Sequence, residues 1–120
     1  MMPYERLKAW EACHALWLAV FHATKRWPIE ERFGLSSQIR RASLSAAANI
    51  VEGSAKRGPR DCARHLNISI GSLAEVHYLL RAARDAEILS PAAHGDLLKK
   101  QESAGRLTSL LYKGLRRTLE

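Results

Sequence analysis

Gln38-Ile39-Arg40-Arg41-Ala42-Ser43-Leu44-Ser45-Ala46-Ala47-Ala48-Asn49-Ile50-Val51-Glu52-Gly53 is the stretch on which the fold turns. Alanine is the strongest helix former, so the run predicts a helix. Its small side chains are too short to fill a core alone and let other helices come close. At helical spacing Arg41, Ser45, Asn49 and Glu52 lie along one stripe. A helix that is small on one side and carries fixed polar groups on another is built to be packed against. That favours an assembling scaffold over a catalyst.

Outward from this segment, Pro28, Gly34, Gly53, Gly58-Pro59 and Ser90-Pro91 divide the chain into four helical segments, with no alternating strand pattern between them. Helix one is expected from about Tyr4 to Arg26, with Leu7, Trp10, His14, Trp17, Phe21 and Thr24 on its core face and Cys13, Leu16 and Val20 widening it. Trp27-Pro28 ends it, because the residue before proline avoids the α region. Ile29 to Gly34 form a connector. Helix two starts near Leu35 or Ser36 and ends at Gly53, read as a C′ glycine.

Ser54 to Gly58 form the second connector. Helix three starts near Pro59, a residue suited to the first turn, and runs to about Glu87. It carries a core stripe of Leu66, Ile70, Leu73, Val76, Leu80 and Ala83, and a second side of Ile68, Ser72, Glu75 and Leu79. Helix four opens with Ser90 as N-cap and Pro91 at the first helical position. Its apolar face is Leu97, Leu98, Ala104, Leu107, Leu111 and Leu115. Connectors this short favour antiparallel neighbours. The expected fold is a single all-α domain over residues 1–120, an antiparallel up-down-up-down four-helix bundle. Helices two and three are apolar or closely approachable on more sides than a lone bundle covers, so copies are expected to dock together.

The composition fits a globular protein: 120 residues, 47% hydrophobic and 26% charged. The net charge of +7 points to a polyanion, of which nucleic acid is the commonest, although charge of this size also simply keeps a protein soluble. Residues 38–64 carry six basic and two acidic side chains, and residues 106–120 four basic and one acidic. Two distant cysteines, Cys13 and Cys62, imply no disulfide framework and suit a reducing cytoplasm. No apolar run reaches the ~20 residues that span a bilayer, and the N-terminus has no signal-peptide core.

Four blocks carry a resemblance: Trp27-Pro28-Ile29-Glu30-Glu31-Arg32-Phe33-Gly34-Leu35, Gln38-Ile39-Arg40-Arg41-Ala42, Asn49-Ile50-Val51-Glu52-Gly53 and Gly71-Ser72-Leu73-Ala74-Glu75. In order and spacing they resemble the four-helix-bundle family of 23S ribosomal-RNA intervening-sequence proteins, across about residues 4–89. The resemblance implies a short bundle that closes into homopentameric rings and has no assigned catalytic activity. A related branch is the accessory protein of diversity-generating retroelements, a basic barrel that binds reverse transcriptase and nucleic acid. Two departures stand out. Alanine at position 47 replaces a proline common in the family, which predicts a straighter helix two. Cys62 and His65 replace aromatics early in helix three.

Two groups of residues are candidates for function. Lys56, Arg57, Arg60 and Arg64, with Arg116 and Arg117, form a basic set suited to phosphates of RNA, DNA or a nucleoprotein. No aromatic stands within it, so binding is expected to be electrostatic and salt-sensitive. The plain alternative is a solvated loop. Arg40, Arg41, Asn49, Glu52 and Glu75 form the second group. Glu52 lies near a helix C-terminus, where the dipole disfavours it, so Arg40 or Arg41 is expected to pair with Glu52 and Glu75 within or between subunits.

Enzyme and metal chemistry have little support. Cys62 and His65 are three apart without a second ligand pair, no paired Glu-x-x-His motifs occur, and no GxxxxGK[ST] loop is present. His14, between Trp10 and Trp17, suits packing better than ligation. The reading is therefore a non-enzymatic oligomeric scaffold, with no cofactor and no membrane association, whose basic surface engages nucleic acid. The alternative is a purely structural homo-oligomer without that affinity.

Overall fold

The computed structural model describes residues 1–119 and contains four α-helices: α1 (Lys8–Thr24), α2 (Leu35–Ser54), α3 (Pro59–Asp85) and α4 (Pro91–Thr118). Single 3-10 turns at Pro3–Arg6 and Ile29–Glu31 precede α1 and α2. No strand occurs among the described residues. Each helix packs on its neighbours in the cyclic order α1, α2, α3, α4, α1, giving a body of 46 × 21 × 21 Å around one apolar core.

The chain enters α1 later than the sequence suggests. Leu7 is extended, at φ −90° and ψ 122°, so Tyr4 belongs to a separate turn tied by Met2 N–H to Glu5 Oε1 at 2.8 Å. The buried line of α1 is Ala9, Cys13, Leu16, Val20 and Thr24. The aromatics expected at its centre sit half-buried on one flank. There they form a ladder: Trp10 stacks on His14 at 5.1 Å between ring centres, His14 meets Trp17 at 5.9 Å, and Trp17 meets Phe21 at 5.6 Å.

Helix α2 runs unbroken through Ala47. Its small residues do bring a neighbour close, but that neighbour belongs to the same chain. Ala42, Ala46 and Ala47 are buried, and Ser69 of α3 donates its hydroxyl to the Ala46 carbonyl at 2.8 Å. The alanine ridge is therefore covered without a second copy. Gly53 is not a C′ residue: α2 continues to Ser54 with no glycine at positive φ. Its hydrogen instead admits α3, since a Cβ there would lie 3.1 Å from His65 Cβ and 3.2 Å from the Cys62 carbonyl.

Cross-helix hydrogen bonds join Gln38 to Glu75, Ser45 to Ser72, Ala46 to Ser69 and Asn49 to His65, so residue numbers fall on α3 as they rise on α2. The core of α3 is Ala63, Leu66, Ser69, Leu73, Val76, Leu79, Leu80 and Ala83. Leu79 thus belongs to it, Ile70 is only half-buried, and Ile68 stays 47% exposed.

Helix α3 stops in a Schellman arrangement: Ile88 N–H donates to the Ala83 carbonyl and Glu87 N–H to the Arg84 carbonyl, both at 2.9 Å. Glu87 takes the left-handed conformation, φ 60°, that the motif requires. Helix α4 begins as the sequence dictates, with Ser90 Oγ accepting from Ala93 N–H at 3.2 Å. It also buries three polar side chains, His94, Gln101 and Thr108. Gln101 donates to the Leu73 carbonyl at 3.0 Å, and Thr108 lies 3.6 Å from Cys13 Sγ.

Candidate nucleic-acid interface

The first turns of α3 and the last turns of α4 lie side by side at one end of the bundle. Arg60, Ala63, Arg64 and Asn67 share one face of α3 by their three- and four-residue steps, and Tyr112 and Arg116 share one face of α4, which Leu119 extends at the C-cap. Together these seven residues line a cavity of about 310 Å³. Three guanidinium groups from two helices thereby face one space. Arg64 is held by Asp61, one turn before it, at 3.3 Å, an exposed pair that contributes little stability. Neither Arg60 nor Arg116 joins an ion pair among the described residues.

Of the six basic candidates, Arg60, Arg64 and Arg116 therefore converge. Lys56 and Arg57 are exposed on the α2–α3 connector, and Arg117 is exposed on α4 but does not line the cavity. Tyr112, Asn67 and Leu119 escaped the sequence reading. Tyr112 stands one helical turn before Arg116 and Asn67 one turn after Arg64, so helical spacing carried that signal. What spacing within one helix does not reveal is that α4 returns beside α3. The basic set thus has an aromatic ring after all, supplied from a distant part of the chain.

The second group is divided differently from the expectation. Among the described residues, no ion pair links Arg40 or Arg41 to Glu52 or Glu75. Arg40 turns to α1, donating from Nε to Thr24 Oγ1 at 2.6 Å and from a terminal nitrogen to the Phe21 carbonyl at 3.3 Å, with its guanidinium 4.8 Å from the Phe21 ring centre. It neutralises carbonyls at the α1 C-terminus, where a cation is favoured. Arg41 reaches only Ser37, at 3.4 Å. Glu75 accepts from Gln38 at 3.0 Å.

Glu52 finds a histidine in place of an arginine. His65 Nδ1 lies 3.7 Å from Glu52 Oε2 and 3.1 Å from Asn49 Oδ1. Asn49 Nδ2 donates to the Ser45 carbonyl, so Oδ1 faces the ring as acceptor and Nδ1 carries the proton. Polar side chains thus bridge the α2–α3 seam, and within one chain their partners differ from those expected.

Both cysteine thiols are held toward their protonated form. Burial pushes the Cys13 thiol up from 9.0 to about 11, slightly offset by its contact with Thr108, and burial also raises Cys62. No cluster of three or more His, Cys, Asp or Glu side chains is placed to share a metal among the described residues. Among the described residues no helix is long and apolar enough to cross a membrane.

One family model, described as 23S rRNA-intervening sequence protein, matches residues 5–109. No curated protein matches the chain. The matched span takes in all of α1, α2 and α3 and most of α4.

Proposed function

We propose, from the premise that the chain belongs to the 23S rRNA-intervening sequence protein family, that it is a non-enzymatic, self-assembling scaffold whose arginine-rich end engages nucleic acid or a nucleoprotein. The observation that carries this reading is the convergence of Arg60, Arg64 and Arg116 on one cavity at the end of the bundle. A cavity lined by three cations and one polar amide is suited to phosphate oxygens, because guanidinium forks match them in shape and charge. Lys56, Arg57 and Arg117 extend the same positive field around it.

The proposed architecture is an antiparallel up-down-up-down bundle forming one domain, supported by the opposite order of the α2 and α3 hydrogen-bond partners. A cytoplasmic setting follows from the two distant cysteines, Cys13 and Cys62. Self-association as a ring of five follows the family resemblance. It is supported by large apolar side chains left open to solvent: Phe33 is 89% exposed, Leu44 49% and Ile68 47%. In a ring the basic end recurs once per subunit, and weak phosphate contacts then act together. Arg41 and Glu75, both exposed, remain free to pair across subunits.

Two measurements test this reading. Gel shift with generic RNA and DNA should show binding at low salt that weakens steeply as salt rises. Absence of binding at low salt would leave a purely structural oligomer. Light scattering should give a mass near five chains, whereas a stable monomer would remove the scaffold.

A further inference from the structure

We propose that the cavity between α3 and α4 is an end-binding site, taking the terminal phosphate of a nucleic-acid strand in preference to the phosphodiesters along it. The inference rests on the nucleic-acid reading above and makes it specific. Its first ground is local charge. Arg60, Arg64 and Arg116 bring three positive charges to the cavity, and the only carboxylate paired with any of them among the described residues is Asp61, on Arg64. Among the described residues the surplus suits a dianion. A phosphomonoester carries about −1.5 to −2 at pH 7, whereas each internal phosphodiester carries one negative charge.

Its second ground is shape. The arginines do not form a track along the long axis of the bundle. They line a half-open cavity of about 310 Å³ at its end, Arg60 and Arg64 from α3 and Arg116 from α4. A strand interior presents phosphates in file and is best met by a groove, as in single-strand binders. A space walled by two helices suits a group that enters once.

Its third ground is the rest of the lining. Tyr112 and Leu119 supply an apolar side on which a terminal nucleoside can lie, and the Asn67 amide supplies a donor and an acceptor for sugar or base. The three arginines are exposed, so the space fills and empties without any part of the bundle opening.

The test is fluorescence anisotropy with one single-stranded oligonucleotide sequence, prepared with a 5′-phosphate, a 3′-phosphate or hydroxyl at both ends. One phosphate-ended form should bind about tenfold more tightly than the hydroxyl form, the equivalent of one good charge-assisted pair. In the double variant Arg60→Gln/Arg116→Gln that ratio should fall to one. Arg117→Gln, which changes a cation outside the cavity, should weaken all forms alike and leave the ratio intact. All three of these positions are at the surface, and an unchanged thermal melt establishes that the variants fold. Equal binding of all three forms, or a ratio that survives the double variant, overturns end recognition while leaving salt-dependent nucleic-acid binding in place. Failure of every form to bind at low salt removes the broader reading and this one with it.

Discussion

Glu87 pays a conformational penalty that its neighbours make necessary. Its φ of 60° lies in the left-handed region, where a side chain costs about 1 kcal/mol or more and glycine costs nothing of the kind. The Schellman hydrogen bonds hold it there. Glu87→Gly is therefore expected to stabilise the fold by about 1 kcal/mol, read as a rise of a few degrees in the thermal midpoint; an unchanged or lowered midpoint would contradict the cap. Cys13 makes a second prediction at this scale. Its thiol ionises near 9 when the chain is unfolded and near 11 when folded. Below pH 9 both states are protonated and the group adds no pH dependence. Between the two values the unfolded chain gives up its proton first, so stability falls with rising pH, by up to about 3 kcal/mol at the far end. Urea unfolding of the wild type and Cys13→Ser at neutral pH and at about pH 10 should show the wild type losing more stability over that interval. Parallel losses would count against a thiol held neutral by burial.

At the scale of the helices, closeness between α2 and α3 decides the packing, and glycine and alanine set it. A Cβ at Gly53 would press on His65 Cβ and the Cys62 carbonyl, neither of which is the flexible end of a side chain. Gly53→Val should destabilise by about 2 kcal/mol through overpacking. Gly71, with open space around it, should show the opposite: Gly71→Ala is expected to stabilise by about 1 kcal/mol from helix propensity alone. Denaturant midpoints check both, and a Gly53→Val protein as stable as wild type would contradict the close approach. Local chemistry made much of this layout legible in the sequence. Ser90-Pro91 and Pro59 announce helix starts by capping and by a missing N–H, and the alanine run announces α2. What stayed hidden depends on partners remote in the chain. Gly53 looks like a helix terminator until α3 is seen against it. Arg40 looks like a partner for carboxylates until Thr24 and the Phe21 carbonyl stand beside it. The aromatic side chains of α1 follow helical spacing as a core stripe would, yet the buried line is Ala9, Cys13, Leu16, Val20 and Thr24, and the rings lie half-buried beside it. For the same reason Arg60, Arg64 and Arg116 could be named as cations, but not Tyr112 as their neighbour.

For the whole molecule, the alanine ridge does not argue for assembly, since Ala42, Ala46 and Ala47 are covered within the chain. The case for docking between copies passes to Phe33, Leu44 and Ile68, which remain exposed. The charge is placed differently from the apolar surface. The cations proposed as the binding site line the cavity where α3 begins and α4 finishes. Arg60 and Arg116 are both exposed, so the basic end is testable without disturbing the core. The most direct measurement is the salt dependence of nucleic-acid affinity, compared between wild type and Arg60→Gln/Arg116→Gln. The wild type should bind at low salt, and the double variant should bind more weakly, with the slope of log K against log salt reduced by about two, about one for each arginine that can no longer neutralise a phosphate. A double variant with wild-type affinity and slope would contradict the assignment of this end as the nucleic-acid interface.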